Sequence, residues 1–250
     1  ESYVWTNTAS YNFTINDDHE FSALLGQEIS SSQKKQDYVA ARYFPKEISA
    51  DQAINNMALG TPYSLTSSLS TPDRMASFFG QVSYNYADRY LASFTMRADG
   101  STKFAPGNQW GYFPSISAGW VISEEPFMKD IEWINQLKIR AAYGLSGNNN
   151  LSDDMWRYLY TINSSGGPGF GESTEFGEKY YSAAGGSQLP NPEIKWETTT
   201  TTNIAADISL FDSRITITPE IYWKKTTDLI YKSDIITSSG YATQMQNIGE

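Results

Sequence analysis

The sequence predicts an all-β fold built from antiparallel strands. Three observations carry that prediction: apolar and polar residues alternate with period two in stretches of about ten, short turns trade places with long connections, and 14% of residues are aromatic. Mean hydropathy is −0.46. No run reaches the roughly 18 apolar residues a membrane-spanning helix needs, whereas spanning strands average out in hydropathy because lipid-facing and lumen-facing positions alternate.

Two candidate strands open the chain, Tyr3 to Phe13 and Glu20 to Ile29, joined by the turn-rich Asn16-Asp17-Asp18. From Phe78 onward, Phe78, Gly80, Val82, Tyr84 and Tyr86 oppose Phe79, Gln81, Ser83 and Asn85. After the short turn Ala87-Asp88-Arg89, Tyr90, Ala92, Phe94, Met96 and Ala98 oppose Leu91, Ser93, Thr95, Arg97 and Asp99, which makes a hairpin. The pattern returns as Ile116, Ala118, Trp120 and Ile122, and again as Leu137, Ile139, Ala141, Tyr143 and Leu145. A last pair places Ile204, Ala206, Ile208 and Leu210 before a tight Asp212-Ser213 turn, with Ile215, Ile217, Ile221 and Trp223 after it and Pro219 interrupting the run. The total is about eight strands.

The turns near 14–18, 87–89 and 211–213 are short, whereas 33–72 and 148–193 are long and rich in Gly, Ser, Asn and Pro. Loops of that length are uncommon in a compact domain. They fit part of a transmembrane outer-membrane β-barrel, with short periplasmic turns on one rim and long extracellular loops on the other. Glu124 to Asn135 is a medium connection, with a helical turn, on the periplasmic rim. In such a barrel Arg97, Asp99, Lys138 and Arg140 face the lumen; in the alternative, a soluble secreted β-sandwich with a carbohydrate-binding or adhesive role, they lie on its solvated side. Tyr84, Tyr86 and Tyr90 cluster near one turn, where an aromatic belt would lie, which favours the barrel.

Composition removes several chemistries. There is no cysteine, hence no disulfide framework, thiolate metal site or Cys nucleophile, and His19 is the one histidine. A net charge of −10 argues against a phosphate-binding face, so nucleic acid is not an expected partner. Glu1 to Phe13 has neither the basic region nor the apolar core of a signal peptide. Both ends read as cuts.

The stretch Arg97-Ala98-Asp99-Gly100-Ser101-Thr102-Lys103-Phe104, followed by Trp110-Gly111-Tyr112-Phe113-Pro114-Ser115-Ile116-Ser117-Ala118-Gly119-Trp120, resembles the signature of SusC/RagA-type outer-membrane proteins. Ile122-Ser123-Glu124-Glu125-Pro126-Phe127-Met128 and Leu137 to Asn148 continue it in the family's order and spacing. Asn191-Pro192-Glu193-Ile194-Lys195-Trp196-Glu197 and Tyr222 to Ile230 are similar to further family motifs, so the resemblance covers most of 73–250. It implies a partial TonB-dependent receptor barrel over residues 1–250, with the plug, the TonB-contacting box and the final strand lying elsewhere. It also implies active import of oligosaccharide or peptide with a SusD-like surface lipoprotein and the TonB complex, no cofactor, and no covalent chemistry. Segments 33–72 and 148–193 are not assigned to a motif, and the resemblance implies that those loops vary with substrate. By residue chemistry alone, Gly100, Gly111, Gly119 and Gly144 suit tight turns, bulges or close backbone approach, and Pro114 suits a strand start.

Candidate sites each have a structural reading beside the chemical one. Glu124 and Glu125 are the most visible carboxylate pair, but a glycosidase needs two carboxyls flanking a bond about 5–9.5 Å apart, and adjacent residues before Pro126 fit a turn better. The run Gly166 to Gly171 lacks the Lys-Ser/Thr of a phosphate loop. Asp153-Asp154 lacks EF-hand spacing and reads as a solvated acidic turn, and His19 as a surface residue flanking a turn. The chain is therefore expected to hold no catalytic or metal site. The second long loop carries Trp156, Tyr158, Tyr160, Phe170, Phe176, Tyr180 and Tyr181, aromatics that either pack within the loop or form a cargo or partner surface, since rings bury much area at low entropic cost.

Overall fold

The computed structural model describes residues 1–158, 160–162, 183–185 and 188–249. In chain order the elements are β1 (Ser2–Ile15), β2 (His19–Ser32), β3 (Lys35–Arg42), α1 (Ala50–Asn55), β4 (Thr61–Leu69), β5 (Asp73–Tyr86), β6 (Tyr90–Ser101), β7 (Trp110–Val121) and β8 (Ile134–Asn148). They continue with β9 (Tyr160–Ile162), β10 (Ala183–Gly185), β11 (Gln188–Leu189), β12 (Glu197–Leu210), β13 (Ile215–Ile217), β14 (Glu220–Thr227), β15 (Ile230–Asp234) and β16 (Thr243–Asn247).

One nine-stranded sheet dominates, in the order β1-β2-β5-β6-β7-β8-β12, with β13 and β14 both on the far side of β12. Every pair in it is antiparallel. The predicted strands are these nine, with the last run split around Pro219, a residue that has no N–H to give a ladder. The short turns fall where expected, and Asn16, Asp17, Ala87, Asp88, Phe211, Asp212 and Ser213 hold them at positive φ. Asn and Asp tolerate that backbone because their short polar side chains bond locally.

The register makes the alternation continuous across the sheet. Leu25 lies opposite Gly80, Gly80 opposite Met96, and Met96 opposite Pro114; Val82, Phe94, Ile116 and Tyr143 form the next row. Phe94, Ile116, Tyr143, Ile204 and Ile221 on this face are all exposed, with no second sheet against them among the described residues. A β-sandwich would bury that face in a closed core. Total surface is 17517 Å², against about 11,000 Å² for a globular monomer of this mass. The uncovered apolar face is part of that excess.

Several expectations need correction. Segment 33–72 is not a plain loop: β3 and β4 pair as a hairpin standing off the main sheet, with α1 between them, begun by Ser49 accepting from the Gln52 amide in a capping box. The opening of β15 and its pairing with β16 were likewise unforeseen, and β11 joins β16 in parallel. Pro114 does not start a strand; it sits within β7, just before β8 joins at Ser115. The four glycines stand inside strands, and of turn, bulge and close approach it is close approach that Gly111 shows. A Cβ there would lie 2.4 Å from Phe113 Cζ and 3.1 Å from Trp196 Cγ, so the residue is small because two rings close over it.

Candidate functional site

The polar face of the sheet is a curved wall. Residues from β1, β2, β5, β6, β7, β8 and β12 line one cavity of about 900 Å³, among them Asn12, Glu20, Ser93, Ser117, Lys138 and Arg140. Strands so far apart in sheet order share one cavity only if the sheet curls. Its lining is rich in hydroxyls, and Ser93 and Ser117 bond to each other across β6 and β7 at 2.7 Å. Arg140 reaches Asp207 at 3.3 Å and Glu220 at 3.6 Å, and Glu220 also accepts from the Asn203 amide.

Arg97 and Asp99 lie on the same face but nearer the long-loop rim, outside this cavity. Arg97 Nε donates to both Asp99 oxygens at 2.8 Å, Nη2 donates to Ser77 at 3.1 Å, and the guanidinium stands 5.5 Å from the Phe79 ring centre. Asp99 and Ser77 are buried. Burial of a carboxylate requires a partner of this quality. The wall thus pairs Arg97 with Asp99 and Arg140 with Asp207 and Glu220, while Glu20 and Lys138 line the cavity outside those ion pairs.

The long-loop rim holds the largest buried cluster. Phe104, Phe113, Leu151, Ile194 and Trp196 pack together, with Met155 and Trp156 against them. Trp196 Nε1 donates to the Gln109 carbonyl at 2.9 Å, and its ring lies 5.2 Å from Phe104 and 5.5 Å, edge-on, from Phe113. The two ends of the second long loop meet here: the Asn191 amide donates to the Met155 carbonyl at 3.0 Å, and Asn191 Nδ2 to the Met245 carbonyl at 2.9 Å. Sequence reasoning missed this centre. Its trace was Ile194 and Trp196, two apolar residues in an otherwise polar motif.

The aromatic loop residues separate. Trp156 is half-buried against the cluster, with Arg157 over its ring at 4.9 Å. Tyr158 is 61% exposed. Tyr160 opens β9, whose backbone pairs with β10, while Phe170, Phe176, Tyr180 and Tyr181 lie outside the described residues, as does the Gly166 to Gly171 run. The acidic turn is not solvated: Asp153 and Asp154 are half-buried, Asp154 pairs with Arg157 and accepts from Thr71 at 2.5 Å. Burial, reinforced by nearby Asp73, pushes the Asp153 carboxyl above its ordinary range.

At the short-turn rim, Glu125 is a buried hub. It accepts from Tyr90 Oη at 2.6 Å and Trp120 Nε1 at 3.0 Å, with Arg89 at 3.6 Å. The Tyr90 hydroxyl first, then the Trp120 indole, hold this carboxyl below its ordinary range. Glu124 is exposed, so the two neighbours do not act as a pair. His19 is more than a turn-flanking residue: its Nδ1 lies 2.8 Å from Tyr84 Oη, and its ring packs on Tyr86 at 4.7 Å.

An uncovered apolar face, a curved polar wall, short turns on one rim and a built-up other rim are the parts of a membrane barrel. Residues 1–250 match the family described as TonB dependent receptor-like, beta-barrel. The chain belongs to that family. Its barrels lie in the outer membrane, and the apolar face of the sheet is therefore its lipid-facing side. TonB-dependent receptor SusC of Bacteroides thetaiotaomicron is 39% identical over 181 residues, 72% of this chain and 17% of that protein. A TonB-dependent receptor of Formosa agariphila is 34% identical over 248 residues, 97% of this chain and 22% of that protein. The chain thus spans about a fifth of the length of the curated relatives it matches. Among solved structures, the RagAB peptide transporter superposes with a TM-score of 0.83 over 99% of this chain and 26% of the other, at 22% identity, a likeness of fold.

Proposed function

We propose that these residues form part of the wall and outer rim of a TonB-dependent importer of bulky nutrients, oligosaccharide or peptide. The observation that carries the reading is the division of the nine-stranded sheet into an exposed apolar side and a hydroxyl-rich polar side around the cavity. Such a wall lets hydrated cargo, or a polar protein element, lie against it, and Arg97, Asp99, Lys138 and Arg140 act here as lumen-facing residues. The partners are a SusD-like surface lipoprotein at the long-loop rim and the TonB complex, engaged through parts of the protein other than this segment. The likeness to SusC and to the RagAB peptide transporter supports that class. Tyr158, Tyr160, Phe170, Tyr180 and Tyr181 are assigned to the cargo or partner surface, together with Trp156, which packs against the rim cluster. Import needs no bond-making by the chain, so no enzymatic step is assigned.

The test is an outer-membrane fraction probed with an antibody to this segment. A heat-modifiable band far above 28 kDa, co-purifying with a surface lipoprotein and required for growth on a glycan or peptide source, is the expected result. A soluble band near 28 kDa would overturn the reading.

A further inference from the structure

The short-turn rim carries more exposed apolar surface than the strands require. On the outward face, Tyr86 and Tyr90 stack at 6.1 Å, and Tyr90 and Trp120 at 6.4 Å. Farther along the same rim, Trp133 and Phe211 stack at 6.2 Å, both exposed, where β8 begins and β12 ends. The connection between β7 and β8 forms two short helical turns, Ile122–Glu124 and Pro126–Met128. Its Glu125 carboxylate binds the polar tips of Tyr90 and Trp120, two outward-facing rings. That contact holds the connection beneath the lipid-facing side of the wall rather than beneath the lumen. Phe127, next to it, is 64% exposed.

We propose that residues 122–134 are a membrane foot: Glu125 latches the connection to the aromatic belt, and Phe127 and Trp133 rest in the boundary between headgroups and acyl chains of the periplasmic leaflet. The partner is a phospholipid surface, argued from continuity with the lipid-facing face. The outward rings Tyr90 and Trp120 are bonded to Glu125, and Phe127 stands exposed two residues farther along the same connection; amphipathic aromatics favour that depth. Charge does not drive the contact. Glu124, Asp130 and Glu132 flank Phe127 and Trp133 in sequence, with Lys129 as the one cation of the connection, so anionic headgroups are not attracted and added salt does not weaken the contact.

The test uses the full-length protein in phospholipid vesicles, with any native cysteines replaced and an environment-sensitive fluorophore on Phe127→Cys or, separately, Phe94→Cys. Quenching is compared for aqueous iodide, for a phospholipid with its nitroxide near the headgroup, and for one with its nitroxide deep in the acyl chain. The expected result is that the label at 127 is quenched several-fold more by the shallow lipid nitroxide than by iodide, and the label at 94 by the deep one. Quenching at 127 by iodide alone, with 94 still quenched by lipid, overturns the foot while leaving the lipid-facing wall intact. Iodide quenching at both positions overturns the lipid-facing wall and the foot with it. Trp133→Cys repeats the reading if Phe127→Cys does not assemble.

Discussion

Replacing Phe94 by arginine tests which face meets lipid, and at what depth. Phe94 is 50% exposed and sits between Val82 and Ile116 on the apolar face. Outward positions of β6 run from Tyr90 to Gly100. At about 3.3 Å per residue and a tilt near 40°, that run rises about 25 Å along the membrane normal, the height of the apolar band of such barrels. Phe94 stands about 10 Å above Tyr90, close to the midplane, where an arginine costs about 2–4 kcal/mol. Tyr112, opposite Ala98, stands about 20 Å above Tyr90, where the same change costs about 0–1 kcal/mol. Urea unfolding of the full-length protein in phospholipid vesicles reads the difference directly. Phe94→Arg should lower the folding equilibrium constant roughly 30-fold to nearly 1,000-fold, and Tyr112→Arg by far less. Equal losses for the two variants would refute the assignment of depth, and no loss at Phe94 the assignment of face.

Gly111→Ala forces a methyl into the Phe113 and Trp196 rings, both of which are buried and unable to swing away; a loss of about 1–3 kcal/mol is expected in the same unfolding assay. Asp153 has its carboxyl raised by burial, so its contribution to stability is largest in acid and lost as pH rises through the folded value. Asp153→Asn should therefore stabilise the long-loop rim at neutral pH and make no difference in acid, read as resistance to limited proteolysis across pH. Glu125 has the opposite sign: its carboxyl is depressed, so its contribution is present above the ordinary Glu range and lost as pH falls through the folded value. A fluorophore on Phe127→Cys should report loosening in acid in the otherwise native protein, and no such step in Glu125→Gln.

The nine strands of the main sheet were legible because apolar and polar residues alternate along most of them, one set on the exposed apolar face and the other on the polar wall. The β3 and β4 hairpin was not. It stands away from the wall, Ala40 is its one buried residue, and nothing forces Lys35, Asp37 and Val39 to differ from Gln36 and Tyr38. The capping signal of α1, Ser49 with Gln52, was present in the sequence and passed over inside a segment read as loop. Glu125 looked like turn furniture beside Pro126 because its partner Tyr90 lies 35 residues earlier. The rim cluster was illegible for the same reason at longer range, since Trp196 and Gln109 meet across 87 residues and local periodicity cannot register such a contact.

The backbone bond between Asn191 and Met155 has an evolutionary consequence. Because Asn191 and Met155 are bonded to each other beside buried rings, the chain leaves and re-enters the long-loop rim at one fixed point. Doubling the length of a loop closed at such a point adds only about 0.6 kcal/mol of closure entropy. Selection can therefore rewrite, lengthen or shorten the sequence between 156 and 190 while the barrel beneath goes on folding as before.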